Sequence, residues 1–331
     1  MTVFTPQQSL ERLVGQAPFS ARHLRLFLLS VGGTFMDGYA TLMTGVSLPL
    51  FKVVEHPSPI LVGLLGAALV MGAVVGAILG GRLGDALGRR FVYRLDMAIL
   101  VVAFLLLASA WNPPSAIAFQ LLVGVGIGMD FPVSSAYVSE LMPAHLRPRL
   151  LTATITFQAI GELVGAATAW LVLQTFPEPD SWRWLLGSGA AFALLLLAAR
   201  CAMPESPHWL MERGRNGEAA RVIALLSDQP SDSVLALGQQ AGERREAIGG
   251  DGPSSKGTSW GQLLRPSLRG ITVLTAGSWF LMDIATYGVG LFTPIILASM
   301  LGGAKAVGGP GLPVLAEEFH AIPGTALVDS F

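Results

Sequence analysis

Long runs without a single Asp, Glu, Lys or Arg constrain this chain more than any other feature. Residues 59–81 and 184–199 carry no formal charge, 26–51 hold only Asp37, and 270–304 hold only Asp283. From 97 to 139 the one charged residue is Asp130. A helix needs about 20 mostly apolar residues to cross a bilayer, so each long window is able to span one. Seven spans are expected, near 25–51, 59–82, 91–111, 114–141, 149–175, 182–203 and 269–301. A water-soluble protein would have no polar faces with which to cover so many apolar helices.

Composition agrees. The 331 residues are 52% hydrophobic and 13% charged, with a mean hydropathy of +0.59; soluble domains carry about 25% charge. A net charge of −1 gives no electrostatic basis for binding nucleic acid. Cys201 is the only cysteine, which excludes an intramolecular disulfide framework and a cysteine-cluster metal site. His56, His145 and His320 lack metal-ligand spacing, and the loops contain no apparent nucleophile–base arrangement. Neither an enzyme nor a cofactor is expected. Residues 1–24 are mixed polar, and the apolar run that follows is too long for a signal-peptide core, so it reads as an uncleaved first span.

Short connections alternate in basic charge. Arg82, Arg89, Arg90 and Arg94 flank one, Arg147 and Arg149 another, and Arg12, Arg22 and Arg25 precede the first span. The intervening connections hold little beyond Lys52, Glu178 and Asp180. By the positive-inside rule the N-terminus is cytoplasmic, and a multi-pass plasma or inner membrane protein is expected. The expected division is a cytoplasmic segment 1–24, a six-helix bundle 25–203, a cytoplasmic loop 204–267, a seventh helix 268–301 and an extracytoplasmic tail 302–331. Within the loop, 214–247 has the composition of short surface helices and "GGDGPSSKGTS" (249–259) that of a flexible linker. The closing residues "GTALVDSF" read either as a loop end or as the start of an eighth helix.

"GGRLGDALGRR" (80–90) sits where span two meets its cytoplasmic loop. Gly81 and Gly88 allow a sharp turn and close helix approach, Asp85 is placed to cap or pair, and Arg89 and Arg90 anchor the cytoplasmic face. The string resembles the loop 2–3 signature of the Major Facilitator Superfamily, with Ala86 where a basic residue is usual and Leu87 where an aromatic is usual. "SELMPAHLRPR" (139–149) is similar to the signature after helix four, with Pro148 in place of glycine. "PESPHWLMERGR" (204–215) is similar to the segment after helix six of sugar porters, with His208 in place of arginine, and "SWRW" (181–184) fits the same group. The resemblance implies an all-α integral membrane fold: a six-helix N-terminal bundle of 3+3 inverted repeats, followed by the first helix of a C-terminal bundle. It implies a conformational gate in which Asp85, Arg89 and Arg90, with Gly81 and Gly88, form cytoplasmic ion pairs with Glu140 and Arg147. It also implies that the chain is a C-terminally truncated piece of a longer relative.

Ionisable residues at membrane depth point to the chemistry. Asp37 lies about 18 Å into span one, Asp130 in span four, Glu162 in span five beside Gln158, and Asp283 in span seven, with Tyr287 four residues on along the same face. Such residues usually face a bundle interior or watery cavity and mark proton or ion pathways. No lysine or arginine is expected at their depth to neutralise them, and burial disfavours a charged carboxylate. Asp37, Asp130 and Glu162 are therefore the candidates for proton coupling, and Gln158, Asp283 and Tyr287 for substrate contact. "GIGMDFPVSS", "FMDGY" and "WFLMDIATYG" resemble helices four, one and seven of phosphate:proton and related metabolite symporters. Met129 replaces a glycine of that pattern, and Phe131 replaces a tyrosine whose hydroxyl it cannot supply. The expected function is proton-coupled symport of a small polar or anionic metabolite such as a sugar, phosphate or organic acid. The partners are that substrate, protons and the lipid bilayer. An uncoupled facilitator and a non-transporting fragment or membrane sensor are the alternatives. Gly72, Gly76 and Gly80, and Gly161 and Gly165, are spaced for tight helix contact.

Overall fold

Prolines and small polar residues decide where the helices start. Ser58, Asn112 and Ser206 each precede a proline, and their side-chain oxygens accept from the backbone N–H of Leu61, Ser115 and Trp209. Each satisfies an orphan donor of the first turn, while the proline has no N–H to leave unpaired. The computed structural model of the chain describes residues 5–227, 229–247 and 265–290. Helix α1 (Pro6–Gln16) opens on a capping box between Thr5 and Gln8. Helices α2 (Ala21–Ser30) and α3 (Gly32–Glu55) together make the first span, broken at Val31. Then follow α4 (Pro59–Leu87), α5 (Arg89–Ala108), α6 (Pro113–Leu141), α7 (Arg147–Thr175) and, after a 3-10 turn, α8 (Trp182–Arg200). Among the described residues six helical segments are long and apolar enough to cross a membrane, at the places where the charge-free windows put them.

The spans pair as α3 with α7, α4 with α6, and α5 with α8. Exchanging the first three spans with the second three maps the first pair onto the second and the third onto itself, which is the contact pattern of an inverted repeat. Glycine makes two of these contacts possible. A Cβ on Gly72, Gly76 or Gly80 of α4 would collide with the backbone of α6 at Leu121, Val125 or Met129. Gly124 and Gly128 of α6 meet Leu69 and Ala73 of α4 in return. Gly38 of α3 abuts the Gln158 carbonyl of α7, and Gly161 of α7 abuts the Phe35 carbonyl of α3. With no side chain between them the backbones come into direct contact, and dispersion supplies the attraction that lipid cannot.

On the loop side, α9 (Pro207–Glu212), α10 (Asn216–Leu226) and α11 (Ser231–Ala247) pack with α1 against the ends of the spans. Leu10 and Val14 are buried with Ala219, Ile223, Val234 and Ala241. Helix α12 (Arg269–Gly290) lies against α3 and leaves Ile271, Leu274, Phe280 and Leu281 exposed. The linker 249–259, residues 291–301 of the expected seventh span and the tail 302–331 lie outside the described residues.

Candidate functional site

A cavity of about 470 Å3 opens at mid-span between α3, α4, α6 and α12. Leu69, Val74, Ile127 and Phe131 give it apolar walls, and Asp37, Ser135, Asp283 and Tyr287 converge as its polar groups. The close α3–α7 contact at Gly38 sets Asp37 beside Gln158. The Tyr287 hydroxyl donates to Asp37 Oδ2 at 2.6 Å, joining α12 to α3. Gln158 Nε2, on α7 near this bond, is buried without a hydrogen-bond partner among the described residues. Asp283 and Glu162 both lie within electrostatic reach of Asp37. Three of the six candidates for coupling or substrate contact, Asp37, Asp283 and Tyr287, thus line one cavity, Gln158 and Glu162 stand near it, and among the described residues its lining contains no lysine or arginine.

Asp130 departs from the expected arrangement. Phe131, next in sequence, lines the cavity, but Asp130 turns away from it and pairs with Arg200 at 2.7 Å, both side chains buried. The expectation that no basic residue would lie at its depth is therefore corrected. Arg200, the last residue of α8, extends into the bundle, where its Nη1 also pairs with Asp96 at 3.0 Å. Its Nε and Nη2 donate to the carbonyls of Leu29 and Ser30 at the α2–α3 break. The guanidinium stacks over the Tyr93 ring, 4.3 Å from its centroid, and the Tyr93 hydroxyl meets Ser30 Oγ at 3.0 Å. Gly33 lies so close to the Asp130 carboxyl that a Cβ there would overlap it. Two carboxyls thus share one guanidinium beneath the first span.

Sequence reasoning missed Asp96 and Arg200. Each stands near the end of an apolar run, where a charge is ordinarily an interfacial anchor. Their partnership joins α5 to α8 across 104 positions. The available signal was that Asp96 and Tyr93, three apart, share a helix face.

At the loop end, Arg89 pairs with Asp85 at 2.7 Å and with Glu140 at 3.1 Å, tying α4, α5 and α6 together. Gly88 turns the chain at φ +100°, and a Cβ there would strike the Glu205 carboxylate. Glu205 accepts from the backbone N–H groups of Arg89, Arg90 and Ser206, filling the first turn of α5 with negative charge. Trp209 and Arg213 donate to the Asp85 carbonyl. Gly81 packs openly toward Pro132. Arg147 donates its Nε to the Met142 carbonyl and lines a cavity together with Glu140 and Glu11. The "PESPHW" segment therefore belongs to this junction through Glu205.

Residues 26–302 match the family model described as "Sugar (and other) transporter". The inner membrane metabolite transport protein YgcS of Escherichia coli K12 is 29% identical over 62% of this chain and 46% of its own length. The repressible high-affinity phosphate permease of Neurospora crassa is 28% identical over 86% of this chain and 56% of its own. Among solved structures, the proton:xylose symporter XylE of E. coli, a Major Facilitator Superfamily protein, is similar in fold with a TM-score of 0.59. It is 21% identical, with 69% of this chain and 55% of that one covered. The chain spans about half the length of the curated relatives it matches.

Proposed function

The chain belongs to the sugar (and other) transporter family, and from that premise we propose that it forms the first bundle and the seventh helix of a proton-coupled transporter for a small polar or anionic metabolite. The observation that carries this reading is the Tyr287–Asp37 hydrogen bond across the mid-span cavity. It joins the first bundle to the helix that begins the second, at the place where a substrate would bind. A hydrogen bond to a carboxylate is roughly twice as strong as one to a neutral acceptor. Protonation of Asp37 weakens the latch, and α12 is then free to move with the second bundle. Asp283 and Gln158 offer the substrate an acceptor and an unspent donor, while Phe131 and Trp279 provide apolar faces. Glu162 supplies a second carboxyl near the same route.

Asp130 takes its part in coupling through Arg200. Asp96, Asp130 and Arg200 together have one more acidic than basic group, and a proton shared between the carboxyls balances the cluster without displacing the guanidinium. The Arg89–Asp85–Glu140 network, with the turn at Gly88 and with Gly81, Arg90 and Arg147 around it, is the gate on the cytoplasmic side. Supporting this is its position at the meeting point of three spans and the "PESPHW" segment.

Uptake of labelled sugars, phosphate and organic acids into vesicles, with and without an imposed proton gradient, tests the proposal. Asp37→Asn is expected to abolish uphill accumulation while retaining exchange, and Asp130→Asn to do the same. Equal wild-type rates with and without the gradient would select an uncoupled facilitator and overturn the coupling. Reading the coding sequence beyond Phe331 for five further apolar spans tests whether the second bundle is encoded with the first.

A further inference from the structure

A second cavity of about 470 Å3 lies outside the bundle, between the start of α5 and the helices α9 and α10. Its lining includes Arg90, Arg94, Arg215 and Arg221 against two carboxylates, Glu205 and Glu218. Both carboxylates are already committed. Glu205 accepts from backbone N–H groups. Glu218 is held by Arg215 through bonds of 2.7 and 2.6 Å, which keep its carboxyl below the usual range. Arg90 and Arg94 both donate to one acceptor, the Cys201 carbonyl, at 3.4 and 2.8 Å. Two guanidinium groups have about ten N–H donors between them, far more than one carbonyl oxygen can accept. Arg94 Nε is in addition buried without a partner among the described residues.

The position of this cavity indicates its occupant. Phe91 is 45% exposed, and the face it begins continues through Val102 at 52% and Leu105 at 56%, the stripe of α5 that does not pack on α6 or α8. Leu87, at 49%, stands on the same rim. Arg90 and Arg94, four residues apart, lie at the cytoplasmic end of this lipid-facing stripe. Acyl chains running along α5 would bring a phospholipid headgroup to the arginines. We propose that this cavity binds the phosphate of an anionic phospholipid in the cytoplasmic leaflet, with Arg90, Arg94 and Arg221 as its cationic contacts and Phe91 and Leu87 against the acyl chains. Basic pockets beside membrane helices suit such headgroups, and each arginine contributes a factor of about five in affinity. The assignment rests on the membrane-spanning reading of the bundle and not on its transport activity.

Native mass spectrometry of the detergent-purified chain with short-chain phosphatidylglycerol or phosphatidylcholine tests it. Wild type is expected to retain phosphatidylglycerol in preference to phosphatidylcholine, and R90Q/R94Q to bind it roughly 30-fold more weakly. R94K keeps the charge and should keep most of the binding, while R149Q, on α7, should leave it unchanged. Equal retention of the two lipids, or equal loss in R149Q, overturns the proposal. Displacement of phosphatidylglycerol by equimolar inorganic phosphate would also overturn it, since the acyl chains would then contribute nothing. Loss of uptake with lipid retention intact would count against the transport reading alone.

Discussion

Asp37 and Tyr287 are 250 positions apart and meet in a 2.6 Å hydrogen bond, whereas Asp130 and Phe131 are adjacent and face opposite ways. A helix turns by about 100° per residue, so neighbours share an environment less often than residues three or four apart. The depth of Asp37 and Asp130 was legible in the apolar runs around them; the direction each side chain takes was not. Arg200 illustrates the energetic consequence. Removing it leaves Asp96 and Asp130 buried together without a counter-ion, a change that costs about 3–5 kcal/mol. Arg200→Leu is therefore expected to lower the thermal unfolding midpoint sharply. Adding Asp96→Asn and Asp130→Asn should recover much of the loss, because the stranded charges are then gone. An unchanged midpoint in Arg200→Leu alone would refute the role given to the cluster.

For the helices, glycine spacing carried most of the information. The Gly72–Gly76–Gly80 repeat read as a close-contact face, and it lies against α6 along its whole length. Its partner could not be named from the repeat, because a flat stripe fits any other flat stripe. Gly76→Val would force α4 away from the Val125 carbonyl and should destabilise the bundle by about 1–3 kcal/mol or more. Gly63→Ala, on the same helix, meets nothing within 4 Å and should be neutral. Comparing the two by detergent-resistance midpoints separates packing from helix propensity, and equal effects would sink the packing account. The turn after α4 was legible for a related reason: Gly88 at φ +100° is a conformation that other residues rarely adopt.

Across the whole molecule, orientation is the property most directly open to experiment. Cys201 is the only cysteine and is exposed just beyond α8, on the side of the basic loops. A membrane-impermeant maleimide should label it in inside-out vesicles and not in right-side-out ones. The reverse result would invert the topology and move the proposed gate and lipid pocket to the opposite leaflet. Six of the seven expected spans appear as membrane-length helices among the described residues, α2–α3 and α4–α8, which shows how much of the architecture the alternation of apolar runs and basic loops contained.

The sequence by itself determined that this is a bundle of membrane helices, roughly where each begins, and that Asp37 and Asp130 lie inside apolar runs. Length, hydropathy and capping are properties of contiguous residues and need no knowledge of neighbours. Tertiary structure decided which helices touch, that Asp130 answers to Arg200 rather than to the cavity, and that Tyr287 reaches Asp37. Those are choices among partners distant in the chain, settled by packing backbones at glycine and by the high cost of leaving a buried charge unpaired.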